Sequence, residues 1–204
     1  MSKKPIIVFE GIEGSGKSHH ISVVSKYLDK KKKAYIKIRE PGGNPSSEKI
    51  RKLILNNKSD FNKNTDLLLY LAARSENMNL LRKYYKKKII LIDRFVDSTI
   101  AYQHFGMGIS KTLIKILNKF LLGNIKPDLT ILNLVSKKNL IKRLKKRKKK
   151  NRYDKFSKSF YIKAQKAFVK LAKKNKKKYF IYDNSTDDKN LEKEILKVVL
   201  SKLK

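Results

Sequence analysis

Short apolar runs alternate with segments of helical periodicity along this chain. Each run is four to seven residues long, which is typical of buried strands. The predicted strands are 5–9, 34–38, 89–92, 129–135 and 179–182. The run at 89–92 is Ile-Ile-Leu-Ile, and an unbroken apolar run of this kind is typical of a central strand in a parallel sheet.

Apolar residues recur at helical spacing between these strands. In the first such segment Ile21, Val24 and Leu28 share one face, and the segment ends in a basic run that suits a helix C-terminus. The other predicted helices are 50–55, 67–81, 114–122 and one that begins near Leu191, after Asp187 and Asp188. Strands that alternate with helices predict an α/β fold, a five-stranded parallel sheet flanked by helices with right-handed crossovers.

The segment 11–18 reads Gly-Ile-Glu-Gly-Ser-Gly-Lys-Ser and directly follows the first predicted strand. It fits the pattern GxxxxGK[ST], in which glycines let backbone N–H groups surround a phosphate at the positive end of a helix. In this pattern Lys17 reaches the outer phosphates and Ser18 holds Mg²⁺. The alternative is a glycine turn with no ligand. The strand, the lysine and the hydroxyl together favour phosphate binding and the three-layer P-loop NTPase fold.

Ligands of an open parallel sheet bind at the carboxyl ends of its strands. Asp93 ends a predicted strand that we expect next to the P-loop strand, where a carboxylate can hold Mg²⁺ or its waters. Arg94, the next residue, would face the phosphates. The alternative is a local ion pair between these two neighbours.

The net charge of +35 is the most unusual property of the composition. Such a charge suggests nucleic acid or an anionic membrane surface as partner. However, the basic residues are spread over the whole chain and are mostly lysine, which favours a compositional bias of the source over a nucleic-acid function. Two alternatives stay open at this point, a P-loop ATPase that acts on nucleic acid and a noncatalytic nucleic-acid-binding module.

Other features of the composition narrow the class of protein. No apolar stretch approaches the length of a membrane span, and the N-terminus leads straight into a strand, without the apolar segment of a secretory signal. The chain has no cysteine, which excludes disulfides and thiolate metal sites. We therefore expect a cytoplasmic protein of one domain, 1–204.

The segment 137–150 carries ten Lys or Arg residues in fourteen positions. It could be a nucleic-acid arm, a cationic lid that closes over a transferred phosphate, or a solvated helix end. Asn151, Arg152, Tyr153 and Asp154 follow it directly.

Five groups of residues, taken in order, resemble the bacterial thymidylate kinase family. They are the loop 11–18 with its acidic Glu13; 39–43 (Arg-Glu-Pro-Gly-Gly) followed by Glu48 and Arg51; 71–74 (Leu-Ala-Ala-Arg); 93–99 (Asp-Arg-Phe-Val-Asp-Ser-Thr) running into Ala101, Tyr102 and Gln103; and 127–130 (Pro-Asp-Leu-Thr). The resemblance covers residues 5 to about 185. The third to fifth groups distinguish this family from other P-loop NTPases.

The resemblance implies transfer of the ATP γ-phosphoryl group to dTMP, giving dTDP, with Mg²⁺ as cofactor and a homodimer as the assembly. The implied ATP-binding residues are Gly11, Glu13, Gly14, Ser15, Gly16, Lys17 and Ser18. The implied substrate-binding residues are Glu40, Arg51, Tyr70, Arg74, Arg94, Thr99, Tyr102 and Gln103. The implied metal ligands are Ser18 and Asp93. The implied catalytic residues are Lys17, Arg94 and Arg152, the last in a lid at about 147–157. Two positions depart from the family pattern, Tyr70 in place of a usual Phe and Leu134 in place of a frequent Asp.

Overall fold

A computed structural model describes residues 4–146, 151–185 and 189–203 of the chain. In these residues five parallel strands form one sheet in the order β2-β3-β1-β4-β5. The strands are β1 (Ile6–Glu10), β2 (Tyr35–Arg39), β3 (Ile89–Asp93), β4 (Leu129–Leu134) and β5 (Tyr179–Asp183). The predicted α/β fold is confirmed, and β3 lies next to the P-loop strand β1 as expected.

The described residues form eight α-helices, of which five match the helical segments predicted from the sequence. They are α1 (Lys17–Lys30), α2 (Pro45–Leu55), α3 (Lys63–Tyr84), α4 (Val96–Thr99), α5 (Lys111–Leu122), α6 (Lys137–Lys145), α7 (Lys158–Lys173) and α8 (Lys189–Ser201). α4 continues into a π-helical segment, Ile100–Gly106, and a 3₁₀ turn spans Arg152–Lys155. Asp187 and Asp188, expected near the start of the last helix, lie outside the described residues. None of the described helices combines the length and the apolar character needed to cross a bilayer.

Successive side chains of a strand point to opposite faces of the sheet, and helices cover both faces. On one face Ile7 and Phe9 pack against α1 and α8. On the other face Ile6 and Val8 pack against Met78 of α3 and the end of α5. Every residue of β1 is buried, which explains its continuous apolar run. The three layers of the predicted fold are therefore helix, sheet and helix.

The parallel register brings the ends of the strands to one edge of the sheet. Phe9 pairs with Asp93 and Glu10 with Leu132, while Arg39 also pairs with Asp93. The chain segments that leave β1, β2, β3 and β4 therefore start within one small region. At the opposite end of the sheet, Oδ2 of Asp128 accepts a hydrogen bond from the backbone N–H of Ile6 at 2.9 Å and secures the start of β1.

Candidate functional site

The loop between β1 and α1 is shaped by glycines in conformations that other residues rarely adopt. Gly11, Gly14 and Gly16 have φ angles of 138°, 69° and 92°. A Cβ atom on Gly16 would lie 2.0 Å from Nδ2 of Asn184, so this position has no room for a larger residue. The same Nδ2 donates to the carbonyl oxygen of Ser15 at 2.9 Å. The loop is therefore a fixed cradle at the N-terminus of α1, a place that favours phosphate.

Lys17 folds its side chain back over this cradle. Its Nζ donates to the carbonyl oxygens of Gly11 and Ile12, both at 2.9 Å. Burial, together with the positive charge of Arg94, lowers the pKa of Lys17 to about 8. A phosphate bound in the cradle would favour the charged form of the amine. Lys17 is thus a buried cation whose present partners are backbone carbonyls that a phosphate could replace.

Ser18 and Asp93 meet where β3 ends beside α1. Oγ of Ser18 donates to Oδ2 of Asp93 at 3.3 Å, while Oδ1 of Asp93 is buried without a hydrogen-bond partner. These oxygens suit Mg²⁺, which takes oxygen ligands and keeps several positions for water and phosphate. Within 4–146, 151–185 and 189–203 no cluster of three or more His, Cys, Asp or Glu side chains could hold a metal ion. The pair therefore fits a Mg²⁺ ion that arrives with a nucleotide.

Arg94 directly follows β3 and directs its guanidinium toward the loop. Its φ of 68° is rare for a residue with a side chain and is often found at functional sites. Its Nη2 donates to Oε1 of Glu13 at 2.8 Å, and its Nη1 donates to the carbonyl oxygen of Gly11 at 3.0 Å. The Tyr102 hydroxyl donates to Oε2 of Glu13. Burial alone would raise the pKa of Glu13, but Arg94 and Lys17 outweigh it, and the pKa is lowered. The partner of Arg94 is thus Glu13 and not its sequence neighbour.

Arg74 is almost completely buried at the other end of the site, with 2% of its surface exposed. Its Nε donates to Oε2 of Glu40 at 2.7 Å, its Nη2 to Oγ1 of Thr99 at 3.1 Å, and its Nη1 to Oδ1 of Asn118. Burial raises the pKa of Glu40, and the charge of Arg74 only partly offsets this. The guanidinium is held rigidly and can only donate hydrogen bonds.

One cavity of about 580 Å³, the main cavity, joins the loop to Arg74. Of the residues predicted from sequence, those that line it are Glu13, Gly14, Lys17, Ser18, Glu40, Arg51, Tyr70, Arg74, Asp93, Arg94, Thr99, Tyr102 and Gln103. Gly11, Ser15 and Gly16 belong to the loop 11–18 but are not among the lining residues. The cavity is therefore continuous from a phosphate cradle to a buried, donor-lined end.

The donor-lined end carries aromatic rings and an amide without a partner. Tyr70 lies one helical turn from Arg74, and its ring meets that of Tyr153 edge-on, with centroids 6.0 Å apart. Nε2 of Gln103 is buried and has no hydrogen-bond partner. Gln103 follows Tyr102 on the π-helical segment, a type of helix that is frequent at functional sites. A planar ligand with polar edges would satisfy this end of the cavity.

The cavity wall is strongly positive. Its cations are Lys17, Arg39, Arg51, Arg74, Arg94, Arg143 and Lys146, and its carboxylates are Glu13, Glu40 and Asp93. Among the described lining residues, cations therefore exceed carboxylates by four. Such a cavity attracts ligands that carry several negative charges.

Arg152 is not among the residues that line this cavity. Its guanidinium forms an ion pair with Asp66 of α3 and lies over the ring of Phe61, 5.5 Å from the centroid. It borders a second cavity, of about 490 Å³. To contact a phosphoryl group in the main cavity, Arg152 would have to leave Asp66.

Sequence reasoning missed Arg143, which does line the main cavity. Its Nη1 donates to the carbonyl oxygen of Gly14 and its Nη2 to that of Asn184, each at 2.9 Å. The only available signal was its place within the basic segment 137–150. Residues 147–150, the first part of the predicted lid, lie outside the described residues.

Comparisons with known proteins agree with this geometry. Residues 9–195 match the family model described as thymidylate kinase. The chain is 34% identical over 200 residues to a thymidylate kinase of Kosmotoga olearia, covering 97% of this chain and 96% of the relative. It is 40% identical over 195 residues to one of Ligilactobacillus salivarius, covering 93% and 92%. A crystal structure of thymidylate kinase from Ehrlichia chaffeensis superposes with a TM-score of 0.76 at 30% identity, covering 98% of this chain and 100% of that one.

Proposed function

The chain belongs to the thymidylate kinase family, and from this premise we propose that it transfers the γ-phosphoryl group of ATP to dTMP, giving ADP and dTDP. The observation that carries the proposal is the single cavity that runs from the loop 11–18 to the buried guanidinium of Arg74. A phosphoryl donor at the loop and a nucleoside monophosphate with its base at Arg74 would bring their phosphates together between these ends.

The chemistry of this transfer requires positioning and positive charge rather than a strong base. A phosphate monoester has a second pKa near 6, so the acceptor is already largely ionised at neutral pH. The two anions repel each other and must be held in line while charge spreads over the transferred group. Lys17 and Arg94 lie at the loop end of the cavity and would provide the fixed positive charges that stabilise this state.

Mg²⁺ would be held by Ser18 and Asp93, together with phosphate oxygens and water. The unpaired oxygen of Asp93 supports this assignment. When bound, the ion neutralises charge on the phosphates and orients them. We include Mg²⁺ in the proposed reaction on the basis of these ligands.

Recognition of the base would depend on donors at the far end of the cavity. Arg74 can only donate, so it suits the O4 carbonyl of thymine and does not suit the amino group of cytosine at the same position. The amide of Gln103, which has no partner for its Nε2, can meet another polar edge of the base. Tyr70 would supply a ring for stacking, Tyr102 would limit the space beside the deoxyribose, and Arg51 would face the acceptor phosphate.

A panel of nucleoside monophosphates with Mg·ATP tests this function. We expect dTMP to be phosphorylated with a far higher kcat/KM than dCMP, dAMP or dGMP, as measured by appearance of the diphosphate. Equal use of dCMP and dTMP would contradict the assigned role of Arg74. ATP turnover that depends on DNA or RNA, and not on any monophosphate, would favour a nucleic-acid ATPase instead.

We also propose that the protein is a homodimer, formed through α3 and α5. Leu68 on α3 is 59% exposed, and Ile116 and Phe120 on α5 are 60% and 81% exposed. These two helices pack against each other, so their outer faces can form one apolar surface. A surface of this kind commonly marks an interface between subunits.

The nucleotide substrates lead us to propose that the enzyme is cytoplasmic. Separately, the net charge of +35 supports a weak, sequence-independent association with nucleic acid. Binding to double-stranded DNA should fall steeply between low and physiological salt. Binding that persists at high salt, or that prefers one sequence, would contradict a purely electrostatic association.

A further inference from the structure

Three residues of α3 lie on one face of the helix at intervals of four. Asp66, Tyr70 and Arg74 follow one another at i, i+4 and i+8, so their side chains are stacked along that face. Tyr70 and Arg74 line the main cavity, whereas Asp66 borders the second cavity. Asp66 is 2% exposed, which is unusual for a carboxylate unless it is paired.

Both oxygens of Asp66 are used by the turn that follows the basic segment. Oδ1 pairs with the guanidinium of Arg152, and Oδ2 accepts a hydrogen bond from the hydroxyl of Tyr153. The turn itself is internally braced. Oδ1 of Asn151 accepts from the N–H of Tyr153 at 2.9 Å, and Oδ2 of Asp154 accepts from the N–H of Asn151 at 2.7 Å. A single buried carboxylate therefore fastens a preformed turn to α3.

We propose that Asp66 is a positioning residue that anchors the turn Arg152–Lys155 to α3, and that Arg152 serves this anchor instead of contacting the transferred phosphoryl group. The inference rests on the proposed function. It replaces the catalytic role that the family resemblance implied for Arg152.

The anchor affects the donor-lined end of the main cavity, where the dTMP base is proposed to bind. The ring of Tyr153 lies between two other aromatic residues of the cavity wall, with its centroid 6.0 Å from that of Tyr70 and 6.3 Å from that of Tyr102. Moving the turn would move Tyr153 and open the wall around the dTMP base. Tyr70 is on the same helix as Asp66, so the anchor fixes the position of Tyr153 relative to Tyr70.

The phosphate cradle is independent of the anchor. Neither Asp66 nor Arg152 contacts Lys17 or Ser18, whose hydrogen bonds go to the loop backbone and to Asp93. Loss of the anchor should therefore weaken use of dTMP and leave ATP binding unchanged. Loss of a catalytic arginine would instead lower kcat and leave the binding of both substrates intact.

A double-mutant cycle with Asp66→Asn, Arg152→Gln and the combined variant tests the anchor. If Arg152 acts only through Asp66, each single change should lower kcat/KM for dTMP by about tenfold or more, because small displacements at an active site are costly. The double variant should then lose no more than about threefold beyond the worse single variant. Losses that multiply in the double variant would overturn the proposal, because Arg152 would then act independently of Asp66.

Two control variants account for general changes of charge. Asp60→Asn and Lys58→Gln alter one charge each beside the same second cavity, at exposed positions outside the turn Arg152–Lys155. Both should keep kcat/KM for dTMP within about twofold of wild type. Asp66→Glu retains a carboxylate and should restore most of the activity that Asp66→Asn loses.

A separate measurement covers the case in which Asp66→Asn does not fold. For Arg152→Gln alone, the anchor predicts a raised KM for dTMP and an ATP dissociation constant within about twofold of wild type. A fall in kcat with unchanged KM for dTMP would instead restore a direct role in phosphoryl transfer. The activity of wild type distinguishes failure of the proposed function from failure of the anchor. An inactive wild type would refute the proposed function, whereas an active wild type with multiplying losses would refute only the anchor.

Discussion

The charge of Lys17 makes ATP binding depend on pH in a defined direction. Burial and Arg94 lower its pKa to about 8, so the amine in the unliganded protein loses its proton as pH rises above that value. The neutral amine binds phosphate less well. We therefore expect the dissociation constant for ATP without dTMP to rise by about tenfold between pH 7 and pH 9. Equilibrium titration at several pH values measures this.

Variants separate this effect from other titrations. Lys17→Ala should bind ATP weakly at every pH, should lose most kinase activity and should keep its melting temperature near that of wild type, since the lysine contacts the loop and not the apolar core. A pH dependence in Lys17→Ala equal to that of wild type would assign the titration to another group.

Tyr70 provides a test of base stacking. Tyr70→Phe keeps the ring that lines the cavity and should bind dTMP almost as well as wild type, with a small effect from losing the hydroxyl contact to Tyr153. Tyr70→Ala should weaken dTMP binding by about 1–3 kcal/mol, the range for stacking of a base on an aromatic ring. ATP binding should not change. Separate dissociation constants for both nucleotides, with melting temperatures, check this.

The opposite result for Tyr70 is also defined. If Tyr70 served only to pack the core, Tyr70→Ala would leave a void, lower the melting temperature and weaken both nucleotides alike. Equal weakening of dTMP and ATP would therefore refute the stacking role.

At the level of single residues, the sequence predicted the positions of those side chains that belong to local motifs. Lys17, Ser18 and Asp93 could be placed because each has a fixed relation to the end of a strand. The pairing of Arg152 with Asp66 could not be predicted in this way. The two residues are 86 positions apart in sequence, and only the packing of the turn on α3 brings them together.

At the level of elements, the connection from β3 to α4 depends on Glu10. Its Oε1 accepts from the N–H groups of Phe95 and Ser98 at 2.8 and 3.2 Å, and its Oε2 accepts from Oγ of Ser98 at 2.6 Å. Arg94 lies within this connection and also donates to Oγ of Ser98. The buried carboxylate therefore helps to hold Arg94 in its left-handed conformation.

The pKa of Glu10 gives a prediction for stability. Burial and then the charge of Asp97 raise this pKa from 4.5 to about 7, against the opposing hydrogen bond from Ser98. A carboxyl group with a higher pKa in the folded chain stabilises the fold below its unfolded pKa and loses this contribution as pH rises toward 7. Wild type should thus lose about 2 kcal/mol of unfolding free energy from pH 5 to pH 8 that Glu10→Gln does not lose, because Gln does not titrate.

Denaturant unfolding at the two pH values measures this difference. Glu76→Gln, at an exposed position on α3, serves as the control and should follow wild type at both. A difference between Glu10→Gln and wild type that stays constant with pH would show that Glu10 does not titrate in this interval.

Helical periodicity predicted α1, α2, α3, α5 and α8 but not the form of every segment. The stretch Ile100–Gly106 winds as a π-helix, which shares the apolar pattern of an α-helix over so short a length. Tyr102 and Gln103 lie on this segment, and both are buried and line the cavity. The sequence could place these residues in the site and could not describe how they are presented.

For the whole molecule, the apolar surface of α3 and α5 leads to a prediction about assembly. Phe120→Glu puts a charge into the proposed interface and should convert a dimer into a monomer, because an unpaired charge is costly to bury. Light scattering coupled to size exclusion measures the mass. Lys30→Glu, an exposed position on α1 away from this surface, should leave the mass unchanged. A wild type that is already monomeric would contradict the proposed dimer.

The central claim concerns the whole molecule, because it requires both ends of the main cavity to work on one reaction. Incubation with γ-labelled ATP, Mg²⁺ and dTMP tests it most directly, with the label followed into each product. We expect wild type to place the label in dTDP, and Lys17→Ala to lose most of this transfer while remaining folded. Label that appears only as inorganic phosphate, or in dTDP at the same rate with Lys17→Ala, would contradict the account.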